Sequence, residues 1–185
     1  MKKWSSLVLG AACLFVSLPL LRGQAVSTAT RTGSGLQVGA GLLRLNNDVS
    51  FHLINYGATV WADYDFYKFI GVEAEAHFGS IKRADQVGED TYLVGPRVTY
   101  HRRKAALYGK FMYGHGIIKN GAQANIPGYK DSGFSIYAFG GGVEYRLTHH
   151  INLRPVDIET QKFPDFYPHT LSPLALSFGA SYVIR

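Results

Sequence analysis

Beyond about residue 35 the chain alternates between apolar and polar positions. Ile70, Val72, Ala74, Ala76 and Phe78 fall on one side of an extended backbone; Gly71, Glu73, Glu75 and His77 fall on the other. Upstream, Tyr56, Ala58, Val60, Ala62, Tyr64 and Phe66 oppose Gly57, Thr59, Trp61, Asp63 and Asp65. Further on, Tyr137, Phe139, Gly141, Val143 and Tyr145 oppose Ala138, Gly140, Gly142, Glu144 and Arg146. Period-two alternation marks strands with two unlike faces. Punctuated by turn residues, the pattern predicts eight strands: Gly35–Leu45, Ile54–Phe66, Phe69–Gly79, Thr91–Tyr100, Ala105–Gly116, Phe134–Leu147, His150–Thr160 and Leu171–Ile184.

The connections alternate in length. Tyr67-Lys68, Arg102-Arg103-Lys104 and Thr148-His149 are short; Asn46–Leu53, Ser80–Asp90, Ile117–Gly133 and Gln161–Thr170 are longer. Short turns at one end and long loops at the other, with an even strand count, are the plan of an up-and-down transmembrane barrel. A Greek-key sandwich has no reason to alternate in this way. The tyrosines add a length scale. Tyr56 and Tyr64, Tyr92 and Tyr100, and Tyr137 and Tyr145 each bracket a run on the apolar face, eight residues apart. Eight residues span ~26 Å of strand, or roughly 20 Å along the normal of a tilted barrel. That matches an apolar band between two aromatic girdles, where amphipathic rings sit at headgroup level. The expected fold class is therefore all-β, an eight-stranded antiparallel up-and-down transmembrane β-barrel, with outer-membrane lipids as its surroundings.

Mean hydropathy is -0.02, which resembles a soluble protein only because lipid-facing and inward residues cancel in any average. The N-terminus differs from the rest. Met1-Lys2-Lys3 is basic, Leu7 to Leu21 is apolar, and Gly23-Gln24-Ala25 offers small residues for cleavage, the pattern of a secretory signal peptide. The predicted organisation is residues 1–25 as signal peptide and 26–185 as barrel, in a bacterial outer membrane. The single Cys lies at position 13, inside an apolar run that continues past it, unlike the polar tether that follows a lipidated cysteine. The remaining chain then has no disulfide, thiolate nucleophile or cysteine-ligated metal. Removing Lys2, Lys3 and Arg22 leaves 16 basic residues against 13 acidic, too mild and too scattered for a nucleic-acid binder.

Eight strands enclose a space that side chains alone can fill. The inward positions carry Glu73, Glu75, Arg97, Lys110, Glu144, Arg146, Arg154, Asp157 and Glu159. Both signs are present, so a paired charge network across the lumen is expected, as buried charges require. The same groups also fit a narrow ion path. Pro96 and Pro155 each remove a ladder donor where a closed barrel has no free edge, which predicts bulges. At Pro155 a bulge also lets Arg154, Asp157 and Glu159 all face inward.

No catalytic, metal or cofactor site is expected. His169 and Ser172 with Glu159 offer the residue types of a hydrolase acting on lipid A, but their spacing matches no such triad. His149-His150 lacks further ligands, and Gly140-Gly141-Gly142 lies within a strand and opens no phosphate-cradling helix.

The C-terminal segment Ser177-Phe178-Gly179-Ala180-Ser181-Tyr182-Val183-Ile184 resembles the assembly signal of outer-membrane proteins: a polar residue, a glycine two on, then an aromatic and a final hydrophobic residue. The matching positions are Ser177, Gly179, Tyr182 and Ile184, with Arg185 as an extra residue beyond the pattern. With Gly140–Leu147 and Leu153–Asp157, the chain from about Gly35 to Ile184 resembles the OmpA-like, porin-family β-barrel domain. The resemblance implies a last strand read by the barrel-assembly machinery and a non-enzymatic structural or surface-interaction role. The longest loop, Ile117–Gly133, is the expected contact surface.

Overall fold

The computed structural model describes residues 35–47, 53–79, 88–119, 132–164 and 172–184. The proposed signal peptide and the centres of the four long connections lie outside the described residues. Eight strands are present: β1 Leu36–Asn47, β2 Leu53–Asp65, β3 Ile70–Phe78, β4 Gly88–Arg102, β5 Ala105–Lys119, β6 Ser132–Arg146, β7 Ile151–Lys162 and β8 Leu174–Ile184. They form one closed barrel in sequence order, every neighbour antiparallel, with β8 pairing back onto β1.

Edges differ from the sequence expectation by up to three residues, mostly at the loop end. Gly88–Asp90, Ile117–Lys119 and Ser132–Gly133 belong to strands rather than loops, and β7 runs on to Lys162. These residues lack clean alternation, and only ladder pairing with a neighbour makes them strand. The longest connection is accordingly residues 120–131.

The register fixes the geometry. From Leu36 the partners run to Tyr64, Val72 and Pro96. They continue through Phe111, which faces Pro96 in the register that holds on both sides (Val94↔Tyr113, Arg97↔Lys110). Phe139, Thr160 and Leu174 complete the circuit, which re-enters β1 at Asn46. The ten-residue displacement from Leu36 to Asn46 is the shear of the barrel. With a rise of ~3.3 Å and a strand spacing of ~4.7 Å, it tilts the strands by about 40°.

The two prolines behave differently. At Pro155 the expected bulge is present. β7 shifts by one residue against β6 between Val143 and Tyr145, and against β8 between Arg154 and Asp157. Arg154 and Asp157, three apart, are therefore both buried while Pro155 and Ile158 face out. At Pro96 the bulge expectation is corrected. Register is continuous on both flanks, and the ladder to β5 simply lapses at Gly95 and Pro96. Two residues without pairing absorb the missing donor, so no extra residue is required.

The short turns are locally specified. Tyr67 N–H donates to the Ile70 carbonyl at 3.0 Å. Arg103 takes φ 54°, in the left-handed region, to reverse the chain between β4 and β5. Between β6 and β7 the Thr148 hydroxyl accepts from the amides of His150 (3.3 Å) and Ile151 (3.0 Å), a side chain standing in for backbone in a tight turn.

The bulge generates a prediction. Deleting Val156 removes the one spare residue of β7 and leaves Arg154 and Asp157 still facing inward, so a heat-modifiable band on an SDS gel should survive. Deleting Ala74, in a strand with no spare residue, swaps the faces beyond it and should abolish that band. Equal behaviour of the two deletions would contradict the register.

Candidate functional site: an ion-paired barrel interior

The inward faces converge on one charged layer. Arg97 on β4 reaches Asp63 (3.0 Å), Glu73 (3.0 Å) and Glu144 (2.8 Å). Arg154 on β7 reaches Glu73 (3.0 Å), Glu144 (2.9 Å), Asp157 (3.1 Å) and Asp63 (3.5 Å). Lys110 on β5 contacts Glu73 (3.3 Å), Asp157 (3.0 Å), Glu159 (3.3 Å) and Glu75. Six carboxylates thus surround three permanent cations from six different strands.

Hydroxyl, imidazole and amide groups complete the coordination. Thr59 donates to Glu75 at 3.0 Å, and a His77 ring nitrogen lies 2.9 Å from the same carboxylate. Gln161 lies between His77 (3.1 Å) and Glu159 (2.9 Å). Tyr108 donates to Asp157 at 2.6 Å, and Arg97 Nε donates to Thr99 at 3.0 Å. Aromatic faces supply what carboxylates do not. The Arg97 guanidinium sits 4.3 Å over the Tyr108 ring and Arg154 sits 4.2 Å over Trp61, cation–π contacts that gain strength when water is excluded.

Two glycines make room for this layer. Trp61 lies across β1 where a Cβ on Gly39 would come within 2.2 Å of its ring, and a Cβ on Gly142 would meet the Tyr108 hydroxyl at 2.7 Å. Within the glycine run of β6, Gly142 thus leaves clearance for an inward tyrosine as well as for the Val156 carbonyl, which a Cβ would meet at 2.2 Å.

Of the nine lumen residues expected from sequence, Glu73, Glu75, Arg97, Lys110, Glu144, Arg154, Asp157 and Glu159 stand in this cluster, each at most 5% exposed. Arg146 does not: it is half-buried near the turn end, opposite Asn152. Alternation puts it inward, but it lies below the charged layer. Sequence reading omitted Asp63, His77, Tyr108, Trp61 and Gln161 from the network. Asp63 was visible as an inward charge on β2; the others needed the register to show which polar groups meet at one height.

A second layer was not foreseen. Leu93, Met112, Ile118, Ile136, Ala138 and Phe163 form a buried apolar cluster, and Leu43, Leu45 and Ala175 form another. Most of them sit inside the barrel toward the long-loop end. Inward positions of a lipid-embedded strand were assumed polar, so apolar residues there were hidden by alternation itself.

Glu73, Glu75 and Asp157 each bring one oxygen within 4.8 Å of the others, a grouping fit for a cation; the Lys110 ammonium contacts all three. Of the hydrolase residues weighed from sequence, Glu159 is committed to Lys110 and Gln161 inside the barrel. Ser172 is half-buried before β8, and His169 lies outside the described residues. His149 is exposed, and His150 stacks on Tyr182 with ring centroids 5.6 Å apart.

The outer surface is the reverse of the interior. Leu42, Val60, Val72, Val94, Leu107, Phe139, Ile158 and Phe178 are exposed, as are all six girdle tyrosines, Tyr56, Tyr64, Tyr92, Tyr100, Tyr137 and Tyr145. Of the C-terminal positions that resemble an assembly signal, Ser177 is buried, Gly179 half-buried, and Tyr182 and Ile184 face out. A sheet with no edge, apolar outside and ionic within, has the construction of a transmembrane β-barrel.

Comparison with known proteins agrees. The family described as outer membrane protein beta-barrel domain matches residues 11–182. The chain belongs to this family, and its place is the bacterial outer membrane. Among solved structures, Neisserial surface protein A is similar at 14% identity and TM-score 0.60, over 82% of this chain and 98% of that one. The N-terminal barrel of Pseudomonas aeruginosa OprF is similar at 11% identity and TM-score 0.57, over 80% and 97%. Ail, the attachment invasion locus protein of Yersinia pestis, is similar at 13% identity and TM-score 0.54, over 82% and 99%. These likenesses are of fold. No curated protein matches the chain.

Lys110 is the group whose loss should cost most. Lys110→Met leaves four carboxylates without their shared ammonium and should lower stability in urea by ~3–5 kcal/mol, with part recovered by adding Glu75→Gln. A loss below ~1 kcal/mol, the size of an exposed pair, would mean the site is hydrated rather than closed.

Proposed function

We propose that this protein is a non-enzymatic scaffold of the outer membrane: a closed barrel whose work is structural and whose loops meet partners at the cell surface. The observation that carries this reading is the filled interior. Three cations bridge six carboxylates across the barrel, and an apolar cluster lies toward the loop end, a filling that supports an interior closed to hydrated ions. The same observation weighs against a porin-like channel, the alternative that the lumen charges suggested. A lipid A-modifying role is weakened because Glu159, the carboxylate such a triad would use, is turned inward and paired.

On this reading residues 1–25 direct export and are removed, and β8, with Ser177, Gly179, Tyr182 and Ile184, is presented to the barrel-assembly machinery before it closes on β1. Recognition falls to the long connections, above all residues 120–131, because a rigid barrel lends loops a fixed frame. Ail has been solved in complex with the heparin analogue sucrose octasulfate, which makes that sulfated sugar a sensible first probe for these loops.

Planar-bilayer recording tests the closed interior. Purified protein should add no discrete conductance steps; reproducible single-channel openings would restore the channel reading. Lipid A from cells expressing the protein should keep its mass, and a changed mass lost in His169→Ala would overturn the non-enzymatic assignment.

A further inference from the structure

The turn end of the barrel carries a charge pattern that neither the closed interior nor the loops explain. The first turn reads Phe66-Tyr67-Lys68-Phe69, the second His101-Arg102-Arg103-Lys104, and the third Arg146-Leu147-Thr148-His149-His150. Lys68, Arg102, Arg103 and Lys104 are exposed and Arg146 is half-buried. None of these turn residues is a carboxylate. The nearest one in sequence, Asp65, is only 4% exposed and faces inward. Among the described residues, the rim therefore presents exposed cations with no exposed carboxylate in its turns.

Height decides what these cations can reach. Tyr64, Tyr100 and Tyr145 mark the lower girdle, and Arg102 follows Tyr100 by two residues while Arg146 follows Tyr145 directly. At ~3.3 Å per residue on a tilted strand, each residue descends only about 2.5 Å. Long Lys and Arg side chains starting there end among lipid headgroups rather than beyond them. Local packing holds the rim at this level. The Lys68 ammonium sits 5.0 Å from the centre of the Phe69 ring, and the His150 ring stacks on the outward Tyr182. Aromatic residues exposed on the same rim, Phe66, Tyr67 and Phe69, suit the interface between hydrocarbon and headgroups.

We propose that the turn-end rim is a collar for anionic phospholipid headgroups of the periplasm-facing leaflet, with Lys68, Arg102, Arg103 and Lys104 as its phosphate-binding groups. Basic clusters at a membrane surface attract anionic lipids in proportion to their charge, and guanidinium groups suit phosphate in particular. The collar is independent of any surface ligand: it works at the opposite end of the barrel and can fail without touching the proposed role of the loops.

The test is lipid binding by the purified full chain, folded in zwitterionic detergent. It is titrated separately with phosphatidylglycerol and phosphatidylcholine of identical acyl chains, and bound lipids are counted by native mass spectrometry. Phosphatidylglycerol should be preferred by roughly tenfold or more, given four unscreened cations. The preference should shrink when salt is raised to about 0.5 M, where screening is strong. In the variant K68Q/R102Q/R103N/K104Q it should disappear while the barrel remains heat-modifiable; Asn at position 103 tolerates the left-handed turn conformation. Equal binding of the two lipids by the unaltered chain overturns the collar whatever the variant does, as does a preference that survives in the folded variant. Co-sedimentation with peptidoglycan sacculi, lost in the variant and without any lipid preference, would assign the rim to an anionic polymer and reject the lipid proposal.

Discussion

Backbone amides and carbonyls cannot be left unpaired in hydrocarbon, and in this chain that requirement is met by the ladder between β1 and β8. Leu36–Asn46 pairs residue by residue with Leu174–Ile184, which turns an open sheet into a surface without edges. Closure with eight strands and a shear of ten then sets the width of the interior. A cylinder of that width has no room for bulk water once side chains such as Arg154, Trp61 and Tyr108 point into it. The charges inside must therefore find one another, and the outer face must be apolar. Fold, interior chemistry and membrane placement follow from one closing pair of strands.

The ionic layer is more than a filler. Each permanent cation touches at least three carboxylates drawn from two or more strands, so the layer ties β2, β3, β4, β5, β6 and β7 together. A buried pair of this kind contributes little net stability compared with an apolar core, but losing one partner is costly. Such a layer penalises strand slips, because any shift of register breaks several of these buried contacts at once. The spare residue at Pro155 fits the same logic, since it brings Arg154 and Asp157 onto one face and into contact at 3.1 Å. Above this layer, toward the loops, the apolar residues around Met112 and Ile136 form a buried cluster, alongside buried polar residues of β4 such as Glu89 and Thr91.

Much of this was legible in the sequence because a strand in lipid has a strict period. Alternation in β2, β3 and β6 located the two faces, and the six tyrosines expected at the edges of the apolar band are all exposed. The contrast between short and long connections gave the topology. The phase change at Pro155 was readable because Arg154, Asp157 and Glu159 cannot all face inward without an extra residue. Other features depend on contacts between strands, which a linear pattern does not encode. Pro96 was misread as a bulge because a proline in a ladder can be absorbed by lost pairing as well as by an insertion. Arg146 obeys the alternation but sits too low to join the cluster. His77, Tyr108 and Gln161 became members only once the shear had placed β3, β5 and β7 at a common level. The apolar upper layer was missed because inward-facing residues were expected to be polar.

The central claim is that the interior is dry enough for its cations to be held by carboxylates instead of water. Side-chain proton exchange in the folded barrel, followed by NMR in detergent micelles at neutral pH, reads this directly. The Lys110 ammonium and the Arg154 guanidinium protons should be observable, slow to exchange with solvent, and close to Glu73 and Asp157. Exchange at the rate of free lysine and arginine side chains would place both groups in a water-filled passage, and the closed-barrel account would be wrong.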